Sequence, residues 1–303
     1  MPLIGENDAT NSPETIHNSN QSDKLGELMS FEQMPPWLHD NPFILTGYRA
    51  INKNYHVYIK SIFIFHNETL NIWSHMIASL YFFRLIGEIG ESRGPFCRIK
   101  NRAPMLAFLL SAFLGFGISA VYHTWSPLSE RARTLLVKLD YVGITNLVTN
   151  GFVAWIYYSF SNSEIQSIYL SSIMIGGLIM TIISQVETFN DQDSRHIRAG
   201  TFVFFGSAAL APACYLIYKS WTEEKMAMIV QELTLTIMVF ILAIIIYTSR
   251  FPESFFPGKF DYFGSSHSLF HWLVIVAILH HYKALVNIAK KSKQRGDSIF
   301  WPN

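Results

Sequence analysis

The sequence predicts an all-α membrane protein built as a bundle of seven transmembrane helices. Half of its 303 residues are hydrophobic and only 15% are charged, whereas soluble domains carry about 25% charged residues. A helix needs about 20 mostly apolar residues to cross a bilayer. Seven such segments follow one another along the chain: 69–89, 105–125, 139–160, 165–186, 199–218, 229–248 and 267–288.

The seven segments differ in polarity, which indicates what each one faces. The second, fourth and fifth contain no Asp, Glu, Lys or Arg, and the first and sixth carry acidic or basic residues only near one end. The third, 139–160, is the most polar, with Asp140, Thr145 and Asn146 among its residues. Because polar groups at membrane depth need partners, this segment is expected to face the interior of the bundle.

Outside the bundle, the chain divides into three parts. Residues 1–25 are rich in Asn, Ser, Glu and Asp, which predicts a disordered polar tail. Residues 26–68 mix aromatic residues with prolines and contain no run of spanning length, so short helices lying at the membrane interface or beneath the bundle are expected. The transmembrane domain occupies 69–288, and a short basic tail follows at 289–303.

Alternating crossings place a set of polar side chains on one membrane face. With seven crossings, the start of the first, the end of the second, and the starts of the third and seventh share a face, whichever side the N-terminus occupies. These ends carry Ser119, His123, Asp140, His267 and His271. Lys and Arg near the segment ends are almost balanced between the two faces, so charge does not indicate which side this face occupies.

Three histidines of this set are candidate metal ligands. His267 and His271 are four residues apart, which places both imidazoles on one helix face. His123 joins them on the same membrane face. Three protein ligands with an open fourth position are typical of catalytic zinc. Iron, nickel and copper also accept imidazole ligands, and zinc is the default hypothesis for a hydrolytic site without redox chemistry. The His267–His271 pair alone is equally compatible with hydrogen bonds to headgroups or to neighbouring carbonyls.

Asp140 and Ser119 are the candidate catalytic residues. Ser119 is expected one turn deeper than His123, about 6 Å along the helix axis. Asp140 has two interpretations: a carboxylate that holds or deprotonates a water at the metal, or an acid favoured by the dipole at a helix start. Glu68 and Asn71 are interpreted as caps of the first helix. His75 is interpreted as a hydrogen-bonded structural histidine, with an auxiliary role at the metal as the alternative.

Five motifs occur in a characteristic order, at 66–75, 119–124, 138–144, 257–261 and 266–271, and an aromatic and proline-rich motif precedes them at 36–48. On these motifs the chain resembles the progestin and adipoQ receptor family, which includes the adiponectin receptors, the haemolysin-III-type proteins and fungal zinc-homeostasis (Izh-type) proteins. One departure is visible at 125–128, where many relatives carry a Cys-His pair and this chain has Trp-Ser-Pro-Leu.

The resemblance implies seven helices with a cytosolic N-terminus and a zinc ion held by three histidines near the cytosolic face. Matched by motif, the ligands are His123, His267 and His271. The family's aspartate near the metal corresponds to Asp140, and its serine corresponds to Ser119. The chain is accordingly expected in the plasma membrane or the endoplasmic reticulum as a multi-pass protein.

The leading functional hypothesis is a zinc-dependent hydrolase of lipid amides, with ceramide or a related lipid as the substrate. Asp140 would act as the base, and Ser119 would hold the water or the developing oxyanion. The alternative is a membrane receptor with an extracellular ligand, or a regulator of zinc and lipid homeostasis, in which the zinc is structural. The net charge of +1 offers no basic surface for a nucleic-acid partner.

Overall fold

The structure, a computed structural model, describes residues 27–91, 94–160, 162–190, 194–219 and 223–294. The predicted polar tail at 1–25 lies outside these ranges. The described residues form ten α-helices, which run in this order: α1 Tyr55–Ser61, α2 Thr69–Gly90, α3 Ala103–Trp125, α4 Glu130–Ser159, α5 Ser163–Ile183, α6 Glu187–Asn190, α7 Arg195–Ser207, α8 Leu210–Lys219, α9 Glu223–Ser249 and α10 Ser266–Gln294.

Helices occupy the positions of the seven predicted segments, with one interruption. The fifth segment, 199–218, is divided between α7 and α8. At the break, the amides of Ala208 and Ala209 donate to carbonyls only three residues back. Pro212 has no N–H to donate to the carbonyl of Ala208, which explains why the α-helical hydrogen-bond ladder is interrupted here.

Four helical stretches within the described residues are long and apolar enough to cross a bilayer: Ala103–Trp125, Ser163–Ile183, Arg195–Lys219 and Ser266–Lys291. Large apolar side chains are exposed on several helices, for example Ile179 on α5, Phe204 on α7 and Val276 on α10. Monomeric soluble proteins rarely expose contiguous apolar surfaces of this kind. These features agree with the composition and identify a helical integral membrane protein.

Helix α4 begins earlier than the predicted segment at 139. Its N-cap is Ser129, whose hydroxyl oxygen accepts a hydrogen bond from the amide nitrogen of Ala132 at 3.1 Å. Asp140 therefore lies about three turns inside the helix. Because the helix dipole acts only within the first turn, it does not account for Asp140, and this interpretation of the residue is wrong.

Helices α3 and α4 approach each other closely where two glycines meet. A Cβ atom added to Gly143 would lie 3.0 Å from the Cα atom of Gly115, and one added to Gly115 would lie 3.1 Å from the carbonyl oxygen of Gly143. Because both contacts are with backbone, only glycine fits without moving the helices. About one turn away, the same two helices bring the side chains of Ser119 and Asp140 together.

A buried aromatic cluster joins α2, α3 and α10 below this polar end. The rings of Phe82 and Phe116 stack with their centroids 5.8 Å apart, and Phe82 also meets the edges of Phe108 and Tyr282. Phe82, Phe108 and Phe116 are almost completely buried. The cluster fixes the relative positions of the helices that carry the histidines.

The segment before α2 combines short helices with a pair of short strands. Two short strands, β1 Leu28–Met29 and β2 Tyr48–Arg49, pair antiparallel with Leu28 opposite Arg49. Between them lie two single-turn 3₁₀ helices, Phe31–Gln33 and Pro36–Leu38. Only α1 is α-helical in this part of the described chain. Short helices are thus present in this segment, and turns at the prolines and at Gly47, which has a positive φ, separate them from the two strands.

Candidate metal centre

Three histidine side chains converge at one end of the bundle. His123 comes from the last turn of α3, and His267 and His271 come from the first two turns of α10. The Nε2 atom of His267 lies 3.3 Å from Nε2 of His123 and 3.2 Å from Nε2 of His271. His123 and His271 are buried, and His267 is partly buried. The fold therefore brings together candidate ligands that are 144 positions apart in the sequence.

The spacing of the three imidazoles fits a metal ion. Their ligand atoms all lie within 4.8 Å of one another. Nitrogen ligands about 2.0–2.1 Å from a tetrahedral ion are themselves about 3.3 Å apart, close to the two Nε2 separations above. No fourth His, Cys, Asp or Glu of the described residues belongs to this group. The donor set is three imidazoles, one ligand fewer than a closed tetrahedral site has.

Glu68 is attached to the outer side of His123. Its Oε2 atom lies 2.7 Å from Nδ1 of His123 and also accepts a hydrogen bond from Nδ2 of Asn71 at 2.7 Å. Burial alone would raise the pKa of the Glu68 carboxyl, but His123, His267 and Asn71 together outweigh burial and hold the pKa below its usual range. An ionised Glu68 accepts the Nδ1 proton, which leaves Nε2 of His123 free to bind a metal.

Glu68 occupies the position of a helix cap, but its side chain contacts His123 instead. Glu68 is the N-cap residue of α2, but its side chain makes no capping hydrogen bond. An acidic residue at a helix start is usually a cap, so the residue type of Glu68 did not indicate a contact with His123. The position of Glu68 did indicate such a contact, because the start of the first segment is predicted to share a membrane face with His123.

His271 is supported by residues of α2. The Ser74 hydroxyl lies 3.4 Å from Nδ1 of His271. The ring of His75 stacks on the ring of His271, with centroids 3.6 Å apart and an angle of 8° between the planes. Neither ring nitrogen of His75 has a hydrogen-bond partner among the described residues. The structure thus places His75 against a candidate ligand and does not support the expected hydrogen-bonded histidine.

Asp140 and Ser119 lie beside the histidine group without belonging to it. The Asp140 carboxyl is buried, and its polar neighbours include His123 and Ser119. Its Oδ1 atom is buried and has no hydrogen-bond partner among the described residues. Because burying a carboxylate oxygen without a partner is costly, the arrangement is suited to a polar ligand placed between Asp140 and the imidazoles.

Comparison with known proteins identifies the family. Residues 63–282 match the model of the haemolysin-III related family. The chain belongs to the haemolysin-III related family. It is 34% identical to the adiponectin receptor protein of Drosophila melanogaster over 265 residues, which cover 87% of this chain and 60% of that protein. It is 33% identical to the ADIPOR-like receptor IZH2 of Saccharomyces cerevisiae over 271 residues, which cover 87% of this chain and 84% of that protein.

A plant relative completes the comparison. This haemolysin-III related protein is 30% identical to heptahelical transmembrane protein 1 of Arabidopsis thaliana over 270 residues, which cover 86% of this chain and 81% of that protein. The chain spans about 60% of the length of the Drosophila relative. The resemblance stated from the sequence motifs is thereby confirmed.

Proposed function

We propose that this protein is a zinc-dependent intramembrane hydrolase of lipid amides, with ceramide as the substrate class. The observation that carries the proposal is the group of three imidazoles at tetrahedral spacing beside Oδ1 of Asp140, which is buried and has no hydrogen-bond partner in the described part of the chain. The site lies at the end of helices whose outer faces are apolar. A lipid with a polar amide near its headgroup can reach such a site from the bilayer.

The residues of the chain have separate roles in this proposal. His123, His267 and His271 would hold the metal, which supplies Lewis acidity toward the substrate carbonyl and toward water. Glu68 keeps the Nδ1 proton of His123 in place and orients the ring. The Ser74 hydroxyl orients the ring of His271 through a longer contact of 3.4 Å with its Nδ1 atom.

Asp140 and Ser119 would carry the proton transfers. Asp140 accepts a proton at Oδ1 from the water that attacks the amide carbonyl, and it returns this proton to the nitrogen of the leaving sphingoid amine. The hydroxyl of Ser119 donates a hydrogen bond to the attacking water or to the developing oxyanion. The C–N bond breaks, and the products are a fatty acid and an amine.

A comparison of two histidine variants tests the proposal. Purified wild-type protein in lipid nanodiscs should contain zinc and release fatty acid from ceramide. His271→Ala should lose both bound zinc and turnover. His196→Ala is the matched control, because His196 is exposed on α7, and it should retain both. Turnover by His271→Ala at the wild-type rate would rule out this mechanism.

The second candidate function is a receptor in which the metal braces the helix ends. It is favoured by the names of the relatives, two of which are called receptors. In that case, removal of the metal would lower the thermal midpoint, and the protein would show no ceramide turnover with or without metal. The absence of a fourth protein ligand in the described group favours the enzyme.

We also propose seven membrane crossings with the N-terminus in the cytosol. Helices lie at all seven predicted positions, and the Arabidopsis relative is named heptahelical. An odd number of crossings puts the two termini on opposite sides. In sealed microsomes, added protease should therefore remove an N-terminal epitope tag and leave a C-terminal tag intact. Loss of both tags would indicate an even number of crossings.

A further inference from the structure

The Arg49 side chain holds the end of the helix that carries His123. Arg49 lies on β2 and is only 6% exposed. Its Nη2 atom donates to the carbonyl oxygen of His123 at 2.6 Å, and its Nη1 atom donates to the carbonyl oxygen of Thr124 at 2.9 Å. Nη1 also donates to the hydroxyl of Ser61 at 3.0 Å. One planar guanidinium thus contacts two successive carbonyls of α3.

These two carbonyls have lost their donors within the helix. The residue four positions after His123 is Pro127, which has no N–H. The amide of Leu128, four positions after Thr124, donates instead to the carbonyl of Trp125. Buried carbonyls at a helix end need other donors, and a cation is favoured at the negative end of the helix dipole. Arg49 supplies both the hydrogen-bond donors and the positive charge, and one of the two carbonyls is that of His123.

Tyr58 anchors Arg49 to the turn that follows α3. The guanidinium lies 5.6 Å from the centroid of the Tyr58 ring. The Tyr58 hydroxyl accepts a hydrogen bond from the amide of Asn52 at 2.7 Å and lies 3.1 Å from the carbonyl oxygen of Pro127, to which it can donate. The position of Arg49 is therefore fixed by its own strand and by a buried side chain of α1.

The same N-terminal segment holds the start of α10. Glu253 is completely buried, and it accepts hydrogen bonds from Nδ2 of Asn41 at 2.9 Å and from the amide of Ser266 at 2.7 Å, as well as from the hydroxyl of Ser266. Asp261 accepts hydrogen bonds from the amides of Leu45 and Thr46. We call residues 41–49 the N-terminal clamp, because Arg49 contacts the end of α3 directly and Asn41 reaches the start of α10 through Glu253.

We propose that Arg49 is a positioning residue for the histidine group. It fixes the last turn of α3 so that Nε2 of His123 faces the two histidines of α10, and the rest of the N-terminal clamp holds α10 in register. The inference rests on the metal site proposed above. Loss of a hydrogen-bond partner of a ligand side chain typically changes metal affinity by about 10- to 100-fold. Because Arg49 holds the main chain of His123, we expect its loss to weaken metal binding as well.

The test compares three variants of the full-length protein. Arg49→Met removes all the donors, Arg49→Lys restores a single point donor, and Arg198→Met is the matched control. Arg198 is buried and donates to the carbonyl of Phe189 at 3.0 Å, at a helix end without a histidine ligand. Zinc affinity is measured by competition with a chelator, the ligand geometry by the absorption spectrum of bound Co²⁺, and stability by the thermal midpoint of the metal-free protein.

We expect Arg49→Met to bind zinc at least tenfold more weakly with an altered cobalt spectrum, and Arg49→Lys to bind with intermediate affinity. If Arg49→Met does not fold, an intermediate affinity of Arg49→Lys carries the inference. Arg198→Met should have a lower thermal midpoint but the wild-type affinity and spectrum. Wild-type affinity in the Arg49 variants would overturn the inference and leave the metal site intact, whereas wild-type protein that binds no metal would overturn both.

Discussion

The Oε2 atom of Glu68 lies 2.7 Å from Nδ1 of His123, across the contact between the start of α2 and the end of α3. Since an ionised carboxylate only accepts hydrogen bonds, Nδ1 must carry the proton. The lone pair of the neutral imidazole is then on Nε2, which faces His267 at 3.3 Å. One carboxylate thus determines both the orientation and the tautomer of the ring.

Glu68→Gln should weaken metal binding by about 10- to 100-fold, because a neutral amide accepts the Nδ1 proton less strongly and makes the imidazole a poorer ligand. The measurement is chelator competition with purified protein. Glu88→Gln provides the control, since Glu88 pairs with the exposed Arg84 near the other end of α2. Equal affinities for both variants would contradict the role given to Glu68.

Asp140→Asn should lower ceramide turnover by at least about 100-fold while the bound metal is retained, because an amide cannot accept the proton from the attacking water. Turnover and zinc content are measured on the same preparation. Ser119→Ala should show a smaller loss, since it removes one hydrogen bond and leaves the base in place. Asp140→Asn with wild-type turnover would exclude Asp140 as the base.

Gly143→Ala should destabilise the protein by about 1–3 kcal/mol, because the new methyl group meets the backbone of Gly115 and forces α3 and α4 apart. The thermal midpoint of the metal-free protein is the measurement. Gly87→Ala is the matched control on α2, where an added Cβ meets nothing within 4 Å. That variant should be neutral or slightly stabilised, because alanine favours a helix. A similar midpoint for both variants would show that the close contact does not matter.

His66→Asn should reduce the sensitivity of the protein to acid. Burial, reinforced by Arg49, lowers the pKa of His66 to about 3, whereas an unfolded histidine has a pKa of about 6.5. As the pH falls from about 6.5 toward 3, the unfolded chain takes up a proton that folded His66 does not. Stability is therefore lost by up to about 1.4 kcal/mol per pH unit.

The asparagine variant retains an acceptor for the amide of Glu68, which donates to Nδ1 of His66 at 3.1 Å. Thermal midpoints at pH 7.5 and pH 5, in the presence of a chelator, provide the comparison. The midpoint of His66→Asn should fall less than that of the wild type. His196→Asn, at an exposed position, should follow the wild type. An unchanged pH dependence in His66→Asn would mean that His66 is not a source of acid lability.

From the sequence, apolar length predicted the helical class and four-residue spacing predicted the His267–His271 pair. The shared membrane face added His123, and the order of the motifs predicted the family. The sequence did not predict where α4 begins. Residues 130–138 contain Arg131, Arg133 and Lys138, so a search for apolar segments leaves them out. The helix nevertheless begins before the apolar region does. The site contacts of Glu68 and Arg49 were also missed, because their partners are 55 and 74 residues away and no local pattern encodes them.

The contact between the N-terminal clamp and Glu253 can form only late in the synthesis of the chain. Asn41 is 212 residues from Glu253, so the clamp emerges early from the ribosome and its second partner emerges near the end of synthesis. Contacts between such distant residues form late, after the intervening chain has been placed. The three imidazoles can therefore meet only after the start of α10 has been synthesised. In the function proposed above, a chain truncated before His267 would lack two of the three metal ligands and would be inactive.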